Sequence, residues 1–181
     1  MKIISGEFKG KTLKGFDIDG TRPTMDRVKE SLFGTIQNYV PDSVVLDLFS
    51  GSGNLGIEAL SNRAKFCYFN DNNIKCIKTI NKVINELNIT DKSKVLNMHY
   101  KKALNYFSNN KISFDLIFLD PPYKMNILNE VIDYIHNNNL INKNGLIICE
   151  IDNIYLNIDY YEKIKEKKYG DKYIVIFKNN L

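Results

Sequence analysis

Val44-Val45-Leu46-Asp47-Leu48-Phe49-Ser50-Gly51-Ser52-Gly53-Asn54-Leu55-Gly56 reads as a strand, an acid at its tip, a glycine turn and the start of a helix. Gly51, Gly53 and Gly56 satisfy G-x-G-x-x-G, and Asp71 follows at the tip of the next apolar run. Glycines let the backbone come close to a ligand, and a tip carboxylate can accept both hydroxyls of a ribose. The pattern points to a nucleoside-type ligand held where parallel strands end.

Working outward, apolar runs and helical periods alternate. Strands are expected near 44–48, 66–70, 94–98, 114–119 and 145–151, with helices near 54–62, 73–87, 100–108 and 126–137. Such alternation predicts a parallel sheet with right-handed crossovers. After Asp152, runs at about 160–168 and 172–178, joined by Gly170-Asp171, predict an antiparallel hairpin. Upstream, Pro23-Thr24 introduces a helix to about Tyr39, with Thr24 as its N-cap and Val28, Leu32, Phe33 and Ile36 on one face. Residues 2–15 hold Gly6, Gly10 and Gly15 among Lys2, Lys9, Lys11 and Lys14, which predicts a small basic β-hairpin. The expected fold is α/β: a Rossmann-like, seven-stranded, mostly parallel sheet with a C-terminal antiparallel hairpin and the small N-terminal one. One domain is expected over 1–181, with 1–40 as hairpin and helix extension and 41–181 as the core.

At 181 residues the chain is long enough to bury roughly two thirds of its unfolded surface. Cys67, Cys76 and Cys149 are odd in number and lack C-x-x-C spacing, so buried reduced thiols are expected rather than disulfides or a zinc site. No metal is expected. No stretch has signal-peptide or membrane-spanning character, so a cytoplasmic protein is expected, and a monomer. The net charge of +4 permits a polyanionic partner without demanding one. With 22 Lys against 3 Arg, lysine is the default cation, yet Arg22 and Arg27 fall together in Arg22-Pro23-Thr24-Met25-Asp26-Arg27. A planar guanidinium is required there for a carboxylate or a phosphate.

The second informative stretch is Phe114-Asp115-Leu116-Ile117-Phe118-Leu119-Asp120-Pro121-Pro122-Tyr123. A strand buried on both faces drives Asp120 to its tip, and two prolines forbid continuation. Asp120 supplies an acceptor, the stiff turn supplies free carbonyls, and Tyr123 supplies a face on which a base can stack. That suits a planar amine. An NAD-dependent oxidoreductase shares the glycine turn but has no use for this tip, and Asp47 would repel a pyrophosphate.

The Asp-Pro-Pro-Tyr tip resembles the motif of amino-directed methyltransferases that use S-adenosylmethionine. Nearly the whole chain resembles the bacterial family that methylates the exocyclic N2 of a guanine in 16S ribosomal RNA. The matching pieces are Ile4-Ser5-Gly6 with Lys9-Gly10, Arg22 to Phe33, Asp47 to Glu58, Asp120 to Tyr123 and Tyr169-Gly170-Asp171-Lys172. The resemblance implies S-adenosylmethionine contacts from Asp47, Phe49, Gly51, Gly53, Asp71 and Asp120, and catalysis from Asp120, Pro121, Pro122 and Tyr123. It implies RNA contacts from Lys9, Lys11, Arg22 and Arg27, with the partner being 16S rRNA in an assembled or assembling small subunit. Where the family has an acidic residue for the adenine amino group, this chain has His99, which can accept one hydrogen bond when neutral. The rivals are a DNA adenine-N6 methyltransferase, which usually carries an added recognition domain, a protein-glutamine methyltransferase, which would have Asn at 120, and a non-catalytic RNA-binding assembly factor.

Overall fold

The computed structural model describes residues 2–13, 23–122, 127–152 and 156–181. Helices and strands alternate through most of it: α1 (Pro23–Ile36), β1 (Val44–Asp47), α2 (Asn54–Ser61), β2 (Phe66–Asn70), α3 (Ile74–Leu87), β3 (Ser93–Leu96), α4 (Tyr100–Asn109), β4 (Phe114–Leu119), α5 (Leu128–Asn137), β5 (Ile141–Ile151), β6 (Glu162–Tyr169) and β7 (Lys172–Lys178). Seven strands form one sheet in the order β3-β2-β1-β4-β5-β7-β6. The first five are parallel, and β7 runs antiparallel to both β5 and β6. No helix among the described residues is long and apolar enough to cross a membrane.

The apolar run of β4 reads continuously because both faces are covered. Leu116 and Phe118 enter one core with Leu32, Phe33 and Ile36 of α1, Ile57 of α2 and Ile80 of α3. Ile117 and Leu119 enter the other with Leu104 and Phe107 of α4 and Val131 and Ile135 of α5. Successive strand side chains point to opposite faces, so a strand sandwiched between helices must be apolar at every position. The Phe33 and Phe118 rings, 6.0 Å apart, seat α1 on the sheet. The strand order reverses between β1 and β4, and the crevice beyond their carboxyl ends is where ligands collect in such sheets.

Several local expectations need correction. Helix α1 starts at Pro23, so Thr24 is its second residue rather than its N-cap, and it ends at Ile36 with a turn in which Tyr39 N donates to Ile36 O. Strand β5 begins at Ile141, before the expected 145, with a register shift opposite Phe114 to Leu116. The expected N-terminal hairpin is minimal over the described residues 2–13: an antiparallel bridge joins Lys2 to Thr12, Ile3 N donates to Lys11 O at 3.0 Å and Gly10 N to Ile3 O at 2.9 Å, without a longer ladder. The tip of this segment is also tied to α2, since Glu7 N donates to Ser61 O at 2.7 Å. Gly6, at φ 76°, lies so close to α2 that a Cβ would sit 1.9 Å from Ser61 O. The Gly170-Asp171 turn joins β6 to β7 as expected, and all three cysteines are buried and free.

Candidate active site

The glycine turn is tied to the tips of its neighbours. Ser50 N donates to Asn70 O at 2.9 Å while the Ser50 hydroxyl donates to Asp47 O at 2.6 Å. Asn70 Nδ2 donates to both Leu48 O and Met98 O at 3.1 Å, which locks the ends of β1, β2 and β3 together. Gly51 and Gly53 have φ of 51° and 79°, a region that L side chains rarely adopt. A Cβ on Gly51 would meet nothing within 4 Å, so it is the positive φ rather than packing that calls for glycine there. Gly56 has the opposite reason to be glycine: a Cβ there would come within 2.3 Å of the Phe69 ring and 2.8 Å of Cys67 Sγ.

Asp47 is buried, and its Oδ2 accepts from Gly56 N at 3.0 Å. Asp71 caps the turn from the other side, accepting from Gly51 N at 2.9 Å and from Asn73 N at 2.8 Å. Asp120 closes β4, half-buried, followed by buried Pro121 and exposed Pro122. Asp47 feels the charges of the other two. Burial, opposed by the Gly56 N–H and aided by the charges of Asp120 and Asp71, pushes the Asp47 carboxyl up to about 7. Burial also raises Asp120, against the pull of the Lys172 ammonium. Burial is the largest cause of both shifts, so the crevice would favour a positively charged guest over a second proton only once Asp47 and Asp120 ionise.

Phe49 is half-buried, its ring 5.7 Å from and tilted against Tyr100, so it walls the crevice on the side of α4. His99 is exposed and caps α4: its Nδ1 accepts from Lys101 N at 3.4 Å. With Nδ1 so used, the neutral ring presents an Nε2–H donor, the reverse of the acceptor an adenine amino group needs. Lys9, Lys11 and Arg27 are exposed, and Lys11 Nζ stands 5.1 Å over the Phe8 ring. The turn carrying these lysines packs at the C-terminal end of α2, an eight-residue helix whose N-terminus faces the crevice, so Lys9 stands about 12 Å or more along the molecule from the acids. Arg22 and Tyr123 lie outside the described residues.

Other polar residues, unpredicted as contributors, hold this architecture. Glu58 on α2 is fully buried and pairs with Lys29 of α1 at 3.0 Å. Asp115 accepts from Val44 N at 2.8 Å and from Asn142 Nδ2 at 2.9 Å, joining β1, β4 and β5. Glu150, at the end of β5, forms an ion pair with Lys172 beside Asp120. A lone acid inside an apolar helix is the signal that could have exposed Glu58; Glu150 had none, because its neighbours come from other strands.

The family described as conserved hypothetical protein 95 matches residues 1–178. The Bacillus subtilis protein YlbH, provisionally named as an rRNA methyltransferase, is 40% identical over 84% of this chain and 83% of its own. Ribosomal RNA small subunit methyltransferase D of Haemophilus influenzae is 34% identical over 94% of this chain and 89% of its own. Among solved structures, the Escherichia coli protein yhhF, provisionally named as a methyltransferase, superposes with a TM-score of 0.86 at 27% identity, over 99% of this chain and 97% of its own. With a matching family that spans all but the last residues and relatives of this identity and coverage, the chain belongs to the conserved hypothetical protein 95 family, that of ribosomal RNA small subunit methyltransferase D.

Proposed function

We propose that this protein methylates the exocyclic N2 of a guanine in 16S rRNA, using S-adenosylmethionine. The observation that carries the reading is the convergence of Asp47, Asp71 and Asp120 at the β1/β4 reversal, in a chain whose relatives are named as methyltransferases of small-subunit rRNA. S-Adenosylmethionine fits this donor set, because its ammonium and sulfonium offer the crevice the positive charge that three acids lack. Asp47 takes the ammonium end, Asp71 turns its remaining lone pairs to the ribose, and Gly51 leaves room for the chain between them. When bound, the sulfonium supplies an electrophilic methyl: the N–C bond forms as the C–S bond breaks, with that electron pair staying on sulfur.

The protein's part is to prepare the amine. The guanine N2 lone pair is delocalised into the ring, and acceptors that hold its hydrogens favour a pyramidal, nucleophilic nitrogen. Asp120 and the Pro121 carbonyl sit at the strand tip to do so, and the proline turn holds them still. A base inside a helix cannot reach the crevice, so the target is looped or flipped, with Tyr123 as its stacking partner.

The test is to incubate the protein and labelled donor with small subunits from cells lacking the enzyme, then digest to nucleosides. N2-methylguanosine is expected; label in N6-methyladenosine or in DNA would overturn the guanine assignment. Asp120→Ala should abolish turnover with the fold and donor binding intact. Asp71→Ala should weaken donor binding by about 1.5–3 kcal/mol, the worth of hydrogen bonds to a charged acceptor, as read by calorimetry.

A further inference from the structure

Leu119 of β4 lies opposite Cys149 of β5, so the next residues, Asp120 and Glu150, leave the parallel pair side by side on the same face of the sheet. On the other side of β5, Glu150 is opposite Ile174, and Lys172, two residues earlier on β7, reaches across to pair with the Glu150 carboxylate. The Glu150 side chain is 14% exposed and that of Lys172 is 41% exposed. Two carboxyls and one ammonium therefore stand in a row from the transfer tip to the solvent. We propose that Glu150, held by Lys172, is a positioning residue of the transfer site, one that tunes the charge of Asp120 and receives through it the proton the amine gives up.

This rests on the methyl-transfer reading above. As the N–C bond forms, the nitrogen must shed one of its two hydrogens as a proton to end as a neutral secondary amine. Asp120 accepts that proton, and a carboxylate that stays protonated would block the next turnover. Glu150 offers the next acceptor, and its exposed edge returns the proton to water. Electrostatics agree with the geometry: burial first, then the Asp120 charge, raise the Glu150 carboxyl, while Lys172 draws the Asp120 carboxyl down. Asp120 from the tip of β4 and Lys172 from β7 flank Glu150, Asp152 follows just past its strand, and α1, which covers this face, carries Asp26, Arg27 and Glu30.

The experiment is a pH–rate profile on rRNA-containing small subunits at saturating donor, for the parent, Glu150→Gln, Glu150→Asp and Lys172→Met. Removing the Glu150 charge should move the acid limb to lower pH by on the order of one unit and lower the plateau kcat with little change in KM. Glu150→Asp should restore the limb, and Lys172→Met should move it to higher pH. In parallel, carboxyl-labelled Asp120 followed by NMR in the donor-free protein should titrate with the same opposite displacements. If both variants lower thermal stability but neither the limb nor the titration moves, Glu150 is a structural strut and the proposal falls. If the parent makes no N2-methylguanosine, the methyl-transfer reading falls and takes this one with it.

Discussion

On the proposed reading, Asp47 serves the donor at the expense of the free protein. A buried carboxyl pushed to about 7 is half protonated near neutrality, and it binds a cation only once ionised. Its folded pKa lies above the 3.8 of an unfolded aspartate, so its contribution to stability is fully present below that value and is lost as pH rises through about 7. Donor affinity should run the other way, falling up to about tenfold per unit as pH drops below 7, with a proton released on binding at neutral pH. Calorimetry in buffers of different ionisation enthalpy reads both effects. Asp47→Asn keeps an oxygen for the Gly56 N–H and removes the charge; it should raise Tm at pH 8 in the free protein and lose most of the donor affinity. A parental pH slope in that variant would take Asp47 out of the ammonium site.

At the scale of elements, α1, α2 and the N-terminal segment are clasped by one buried ion pair. Lys29 Nζ donates to Lys2 O, Asn54 Oδ1 and Glu58 Oε2 at 2.8, 2.9 and 3.0 Å, which uses all three of its hydrogens. Glu58 also accepts from Ile4 N at 3.2 Å, and from Ser5 N and Oγ at 2.8 and 2.7 Å. Removing one partner leaves a buried charge and orphaned amides, so Lys29→Met or Glu58→Leu should each cost about 3–5 kcal/mol in denaturant unfolding, whereas the double variant should cost much less than their sum. Strict additivity would mean the pair does not act as a unit. Asn54 opens α2 directly after the glycine turn, so the same variants should also weaken donor binding.

This clasp marks the boundary of what the sequence disclosed. Strand and helix alternation, the β6–β7 turn and the convergence of acids at strand tips were legible, because hydrophobic period and chain punctuation are local and β4 carries its burial in its own composition. The antiparallel closure of the N-terminal segment was legible too, but the reason for Gly6 was not: it is fixed by its approach to Ser61 O, far along the chain. Glu150 was silent for the same reason: its meaning comes from Asp120 and Lys172 on neighbouring strands. Long-range polar partners leave no periodic trace.

At the scale of the whole molecule, a net charge of +4 gives RNA only a diffuse attraction, and the lysines differ in their freedom to supply it. On the edge strand β6, Lys165 Nζ donates to the Thr35 hydroxyl at 2.6 Å and Lys167 Nζ to Ser31 Oγ at 3.3 Å, and charged side chains there also guard an open sheet edge. Lys9 and Lys11, on the exposed N-terminal turn, project from a segment whose backbone the clasp makes rigid. If both meet phosphates, replacing them with Ala should flatten the dependence of log affinity on log salt by about 1.5, and an unchanged slope would return the turn to a purely structural role. Phosphate contacts position a protein without choosing a base. On the proposed reading, the choice of one guanine comes from a shape that holds Lys9 and Lys11 at the far end of α2 while presenting a splayed base at Asp120, a separation a folded RNA can match. Small subunits lacking the modification should outpace deproteinised rRNA in kcat/KM, with short oligonucleotides carrying the same bases inert. Equal rates on all three would mean that the base and its immediate neighbours suffice.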